Sequence, residues 1–447
     1  MAYYPHTNHE RDEMLAAIGV ADMDALFADI PARLRNPQLK LPGALSEMET
    51  LAELRDLAEN NHHAGKSALF LGAGAYNHYT PAIVDALIQR GEFLTAYTPY
   101  QPEVSQGTLQ AVFEYQSMVV ALTGMEVANA SHYDGATALA EAVIMANEHF
   151  RGARRKVVLS PTIHPHARGV VRTYTQGLGV EIVGEAYPRY ADPAALAELV
   201  DDGTMILAVQ YPNFLGQIDD LSALAAAVHA RGALLAVMAD PLSLGLLTPP
   251  GALGADIVCG EGQALGLPLS FGGPYLGYFA TRKSLVRKMA GRVVGETKDR
   301  NGQRGFVLTL ATREQHIRRE RASSNICTNQ GLMALAATIY LATLGKNGLR
   351  QVAELCWHKS HYAAKRIGTL SGYRIVAPRP YLKEFVVACP RPVAEINDYL
   401  LYQRNIIGGY DLGQDYPTLQ GHMLVCVTET NTREQIDDLV GALSELN

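Results

Sequence analysis

Leu234-Leu235-Ala236-Val237-Met238-Ala239-Asp240 is the stretch on which the fold turns. The apolar run Leu234–Met238 is short enough for a buried strand and ends beside an acid. Immediately upstream, Leu221–Arg231 has helical spacing, and downstream Asp256–Val258 is the next strand candidate. The same alternation extends outward. Lys156–Leu159, Val180–Val183, Met205–Val209 and Tyr275–Ala280 are further strand candidates, with helical runs at Ala136–His149 and Pro193–Val200 between them. Strands alternating with helices predict an α/β fold with a mostly parallel sheet covered on both faces. In such sheets ligands bind at the carboxyl ends of the strands, where Asp240 is expected to lie.

The flanks read differently. The first sixty or so residues are polar and helical, with Asp22 or Asp24 as a candidate cap and Leu51–Ala58 spaced to pack on a larger body. Towards the end, a helix near Gly348–Leu370 leads into Tyr373–Val376 and Glu384–Ala388. A helix near Val393–Gln403, the strand Met423–Val427 and a closing helix capped by Thr430 or Asn431 complete the chain. The expected division is an arm over 1–65, a large domain over 66–345 and a smaller α/β domain over 346–447.

A chain of 447 residues with 48% hydrophobic and 19% charged residues has a globular balance, which excludes a disordered protein. A net charge of -7 argues against a nucleic-acid binder. Apolar runs such as Leu234–Ala239 are far too short to span a bilayer. No signal peptide is read at the amino terminus. Five scattered cysteines without a C-x-x-C pair indicate neither a zinc site nor a disulfide framework, so a cytoplasmic protein is expected.

The densest cluster of unusual residues is Phe93-Leu94-Thr95-Ala96-Tyr97-Thr98-Pro99-Tyr100-Gln101-Pro102-Glu103-Val104-Ser105-Gln106-Gly107. Its two prolines forbid a regular helix, and its tyrosines suit either a pocket or a loop that simply packs. This segment resembles the TAYTPYQPE(V/I)SQG signature of the glycine decarboxylase P-proteins. The similarity continues through Asn129–Glu141, Ala239–Leu244, Phe271–Pro274, Arg313–Arg319 and Ser324–Thr328, spanning roughly residues 70 to 330. It matches the amino-terminal half of single-chain P-proteins, or the alpha subunit of the split form.

That resemblance implies a fold-type I pyridoxal-phosphate transferase-like architecture: a large domain with a seven-stranded-type sheet and a smaller carboxyl-terminal domain. It implies decarboxylation of glycine on pyridoxal phosphate, with the aminomethyl group passing to lipoylated H-protein. Such enzymes need a Schiff-base lysine and an acid beside the pyridine nitrogen. Asp240 matches the acid, although a helix cap or strand-end turn is an equally ordinary use of aspartate. The catalytic half of the family carries a His-Lys pair where this chain has Gln263-Ala264, and no lysine lies between Lys156 and Lys283. The resemblance therefore implies that a partner beta subunit, in an α2β2 assembly, holds the cofactor. This chain would supply Tyr97, Tyr100, Gln101 and Glu103 as catalytic residues, with His78, Asn325 and Thr328 at the substrate interface. Asp240, Gln263 and His164 would mark a vestigial cofactor site, and no metal is expected.

Three other features stay open at this level. The glycines in Leu71-Gly72-Ala73-Gly74-Ala75-Tyr76-Asn77-His78 form a weak anion-cradle pattern or an interface loop. His164 and His166 form a His-x-His pair, weak as a metal motif without a third ligand. Arg287, Lys288, Arg292, Arg313, Arg318, Arg319 and Arg321 form a solvated face, a phosphate site or a docking patch for H-protein. Two alternatives stand beside the half-site reading: a non-catalytic scaffold subunit, and a self-sufficient enzyme using Lys283 or Lys298.

Overall fold

A computed structural model describes residues 5–35 and 37–446, and the chain divides into two compact units, Met1–Asn61 and His62–Asn447. In the first unit, Thr7 and Glu10 form a capping box that starts the helix Asn8–Ile18, and Gly19 ends it with φ 83°. Asp22 accepts the Ala25 N–H at 2.9 Å ahead of the short turn Asp24–Phe27. Ser46 and Glu49 cap the helix Glu47–Glu59, none of whose residues is buried. The apolar spacing over Leu51–Ala58 is thus an exposed stripe.

The second unit is built on a seven-stranded sheet. In spatial order its strands are Val127–Ala128, Gly277–Thr281, Ile257–Glu261, Leu234–Ala239, Thr204–Tyr211, Lys156–Leu159 and Glu181–Val183. All inner pairings are parallel except those of Gly277–Thr281, which runs against both neighbours. Strict alternation fills both faces. Val158, Leu207, Leu235, Val237 and Val258 point into one apolar layer, and Val157, Ile206, Ala236, Ile257 and Cys259 into the other. The helix Gly135–His149 covers the second face with Leu139 and Val143, while Gln106–Thr123 and Ser222–Ala230 cover the first with Val119 and Leu224.

The long helix Gly331–Ile367 starts earlier than its sequence suggests and is interrupted at Gly345 (φ 58°, ψ -173°). It is the one helix among the described residues long and apolar enough to cross a membrane. Ala334, Ala336, Ala337 and Tyr340 nevertheless pack it onto the sheet core, as in a soluble protein's core helix.

Beyond it lies a four-stranded antiparallel sheet in the order Arg374–Val376, Glu384–Ala388, His422–Cys426, Tyr410–Asp411. The closing helix Arg433–Ser444 is capped by Thr432 through a box with Gln435, not by Thr430 or Asn431. Those two have other work: Asn431 Nδ2 donates to Leu69 O at 2.9 Å, and Thr430 Oγ1 donates to Asn77 O at 3.0 Å. Ala68–Leu69 pairs in parallel with Ile406–Ile407, which threads the segment before Tyr76 through this carboxyl-terminal layer.

Candidate functional site

Parallel strands end on one edge of the sheet, and there a cavity of about 390 Å³ opens between Gln210, Asp240, Glu261, Asp134, His164 and Tyr76. Asp240 follows the strand Leu234–Ala239 directly, so the acid stands where the alternation placed it. The residue facing it was not legible. Lys383 Nζ lies 2.8 Å from Asp240 Oδ2, with only 4% and 12% of the two side chains exposed. Neither Asp240 oxygen has an aligned hydrogen-bond donor among the described residues, so this contact is a close ion pair. The ammonium also sits 3.5 Å over the Tyr76 ring and 3.4 Å from His78 Nε2. Burial is the largest influence and works against the Lys383 charge, but Asp240 together with Cys426 and Cys356 offsets it and holds the pKa above the usual lysine value.

His78 is buried behind this pair, with Nδ1 2.7 Å from Glu429 Oε2. Burial, and then the Lys383 charge, lowers its pKa, which leaves a neutral ring that accepts from Lys383 and donates to Glu429. Cys356 Sγ, 3.4 Å from the same Glu429 oxygen, completes a His-Cys-Glu group close enough to hold a metal ion. Each member is accounted for by the network: Glu429 Oε1 also accepts the Tyr79 N–H at 2.7 Å, and burial pushes the Cys356 thiol up, away from the thiolate a metal needs.

The remaining residues of the expected vestigial site are tied to backbone. Gln263 accepts the Tyr76 N–H at 2.8 Å and donates to Tyr76 O at 3.0 Å and Leu267 O at 2.8 Å. Its neighbour Ala264 is buried in the first apolar layer. His164 Nε2 is 2.8 Å from Ala73 O, and its Nδ1 accepts the His166 N–H at 3.1 Å, which fixes the tautomer and leaves no lone pair for a metal. The ring packs so close that a Cβ on Gly74 (φ 110°) would meet it at 2.8 Å. At Gly72 a Cβ would come within 2.6 Å of Cys426 and Glu384. The glycines at 72 and 74 are thus close-approach positions, and the Ala73 N–H between them donates to Glu384 at 2.7 Å.

Glu261 was missed entirely. One oxygen accepts the Gly135 N–H at 2.9 Å, and the other accepts from Gln263 at 2.9 Å and Leu276 at 3.1 Å. The start of the helix Gly135–His149 is thereby taken, and Asp134 accepts the Thr137 N–H at 2.7 Å. Burial pushes the Glu261 carboxyl up to about 7 against these three donors.

A phosphorylated pyridine cofactor needs a lysine, an acid for its ring nitrogen and open N–H groups for its phosphate. Here no lysine directly follows the strand Ile257–Glu261, the acid is already paired with Lys383, and the Glu261 carboxylate takes the Gly135 N–H at the helix start. The residues do not fit the group.

The signature segment lies elsewhere. It leaves the short helix Gly91–Leu94, runs irregularly through its two prolines and enters the helix Gln106–Thr123. None of residues 93–107 lines the cavity at the strand ends. Tyr97 is 82% exposed, Val104 80% exposed, and Gln101 and Glu103 are also on the surface. Tyr100 is anchored: its hydroxyl accepts from Arg292 Nη2 at 2.8 Å, and its ring packs on the same guanidinium and on His316. Tyr97 and Thr328 line a second, mainly apolar cavity of about 240 Å³ with Phe93, Tyr115, Arg292 and Leu335. Asn325 is not brought there, lying instead in a shallow pocket beside Glu141 and Ser324.

The basic run divides in the same way. Arg292 and Arg313 are structural, donating to the carbonyls of Cys327 and of Met289 and Gly291, while Arg318, Arg319 and Arg321 are exposed. Phe271 is 83% exposed on a turn where Ser270, Phe271, Gly272 and Gly273 all have positive φ. This backbone is costly for a serine and a phenylalanine.

Residues 1–443 match the family model for the glycine cleavage system P-protein. A protein of Thermomicrobium roseum named a probable glycine dehydrogenase (decarboxylating) subunit 1 is 58% identical over 447 residues, covering 100% of this chain and 99% of that one. A counterpart from Brevibacillus brevis is 52% identical, covering 99% and 98%. The crystal structure of a glycine decarboxylase (P-protein) of the glycine cleavage system, in inhibitor-bound form, superposes with a TM-score of 0.90 at 44% identity, covering 100% of both chains. A sphingosine-1-phosphate lyase from Burkholderia pseudomallei, 17% identical with a TM-score of 0.65 over 93% of each chain, shares the fold alone. Fold type I architecture, signature segment and full-length similarity point one way: the chain belongs to the glycine cleavage system P-protein family.

Proposed function

We propose that this chain is the alpha subunit of a two-subunit glycine decarboxylase, inactive alone and completed by a beta subunit of the same fold in an α2β2 assembly. One observation carries the proposal. The signature segment is exposed and lies outside the chain's own strand-end cavity, where no lysine directly follows the strand Ile257–Glu261 and the nearby Lys383 is already paired with Asp240. A segment so placed is suited to a neighbour's cavity. Pyridoxal phosphate held covalently by the beta subunit supplies the electron sink for loss of the glycine carboxylate.

This chain's part is to orient and to cover. Tyr97, Gln101 and Glu103 offer hydroxyl, amide and carboxylate groups to the glycine carboxylate and amine, and Tyr100, held by Arg292, fixes the path of the loop. Tyr97, Val104 and Thr328 close the approach to water. Asn325 is exposed in the shallow pocket beside Glu141 and Ser324, whereas His78 is buried against Glu429 and Lys383 in this chain's own site. The aminomethyl group passes to the lipoyl group of H-protein with release of CO2. The exposed stripe of helix Glu47–Glu59 supports a protein partner, and five free cysteines support a cytoplasmic setting.

The test is glycine-dependent CO2 release from the chain reconstituted with its beta subunit and H-protein. Tyr97→Phe with Tyr100→Phe is expected to cut kcat/KM on the order of a hundredfold while the complex still assembles. Near-full turnover in that variant would make the chain a scaffold, and turnover by this chain alone would overturn the half-site reading.

A further inference from the structure

The strand-end cavity holds more than a missing lysine. Loss of the lysine alone would leave a site able to take a phosphorylated pyridine reversibly, through an acid at one end and a helix amino terminus at the other. Here both ends are already satisfied by this chain. At one end, the Lys383 ammonium is paired with Asp240 and stacked on Tyr76. At the other, a Glu261 oxygen takes the Gly135 N–H at 2.9 Å. The fit at that end is built in: a Cβ on Gly135 would stand 2.6 Å from Glu261 N, so only glycine admits the approach.

We propose that Lys383 and Glu261 are internal substitutes for the two charged ends of the cofactor, its protonated ring nitrogen and its phosphate. They close the cavity to pyridoxal phosphate in any form, and the Lys383–Asp240 pair clasps the carboxyl-terminal sheet to the large one. The inference rests on the strand-end cavity being the counterpart of the cofactor site used by the partner. A cationic ring brought to Asp240 must displace a buried ammonium, and a phosphate brought to Gly135 must displace a carboxylate and then face Asp134. Lys383 stands immediately before the strand Glu384–Ala388, and Asp240 immediately after Leu234–Ala239. One ion pair therefore joins the two sheets where a bound cofactor would otherwise lie between them. Glu384 strengthens the clasp by accepting from Ala73 N–H at 2.7 Å and the Tyr76 hydroxyl at 2.9 Å.

The test uses the full chain without its beta subunit, so it does not depend on turnover. Pyridoxal phosphate is titrated by equilibrium dialysis into the wild type and into a Lys383→Met, Glu261→Gln double variant. The wild type is expected to show no saturable binding, and the variant to bind at least about tenfold more tightly, in competition with inorganic phosphate. Stoichiometric wild-type binding that inorganic phosphate displaces would overturn the proposal, as would a folded variant that binds no better. Should the double variant not fold, a thermal-unfolding cycle over Lys383→Met and Asp240→Asn decides: strongly non-additive losses support the clasp, and additive ones overturn it. Wild-type binding would sink this inference while leaving the half-site function intact, provided that turnover still required the partner.

Discussion

Replacing Glu141 by glutamine should change how the stability of this chain depends on pH. Glu141 sits in the helix Gly135–His149 with 2% of its surface exposed. One oxygen accepts from Ser324 Oγ at 2.7 Å, and the other has no partner among the described residues. Burial outweighs the serine bond and pushes the carboxyl up to about 7 from 4.5. The sign follows from linkage. In this interval the folded chain keeps a proton that the unfolded chain releases, so stability falls as pH rises from about 4.5 to about 7.

A shift of this size is worth about 3 kcal/mol once the group is fully ionised. Most of it, about 2.5 kcal/mol, should be lost between roughly pH 5 and roughly pH 8.5. Glutamine keeps the shape and an acceptor for Ser324 but cannot ionise. Urea unfolding followed by circular dichroism at the two pH values should show the variant gaining on the wild type by that amount. The Glu261 carboxyl titrates in the same window but cancels in the difference. Parallel pH profiles for the two proteins would refute the argument, because they would mean that the buried oxygen has a solvent or protein partner that removes the cost of its charge.

Two further outcomes are expected. Gln263→Leu removes three hydrogen bonds to Tyr76 and Leu267 and leaves their backbone groups unpaired, which should cost about 2–4 kcal/mol in a thermal or urea melt; a loss below about 0.5 kcal/mol would show that the glutamine is not a bracket. Cys327 is the one exposed cysteine among the five, so a thiol reagent should label a single site quickly in the isolated chain, and labelling should slow once the beta subunit covers the Ser324–Thr328 face. Unchanged labelling in the complex would place the partner elsewhere.

The parts of the fold that were legible are those with local cause. Apolar alternation placed the strands Lys156–Leu159 and Leu234–Ala239, and the helix between Gly135 and His149, within a residue or two. Asp240 was readable for the same reason, since a strand end is a local fact. Lys383 was not, because nothing near it in sequence announces a partner, and a lysine ahead of a strand is ordinarily a surface residue. Glu261 was hidden by its neighbour: a missing lysine drew attention to Gln263-Ala264, while the residue that takes the helix start stood two positions before. The arginines show the converse error. Arg292 and Arg313 look like surface charge in a basic run, yet both are spent on backbone carbonyls. Among the expected active residues, Tyr97 and Thr328 meet at one cavity, whereas His78 and Asn325 are held apart from them by the tertiary path of the chain.

The short parallel pair Ala68–Leu69 with Ile406–Ile407 bears on how the chain is made. Ser67 bonds Asn405 across a separation of 338 residues, and Phe70, Asn77 and Leu69 find their partners at Ile407, Thr428 and Asn431. Closing so long a loop costs on the order of 5 kcal/mol of chain entropy before any contact is made. During synthesis the segment bearing Tyr76 and His78 must therefore wait, with its amides in water, until Ile407, Thr428 and Asn431 have left the ribosome. The seven-stranded sheet can assemble while translation proceeds, but the floor of the cavity is laid last. Truncation anywhere before the closing helix should leave a chain with its sheet formed and its strand-end cavity unfinished, and such a nascent species is the one that chaperones would be expected to hold.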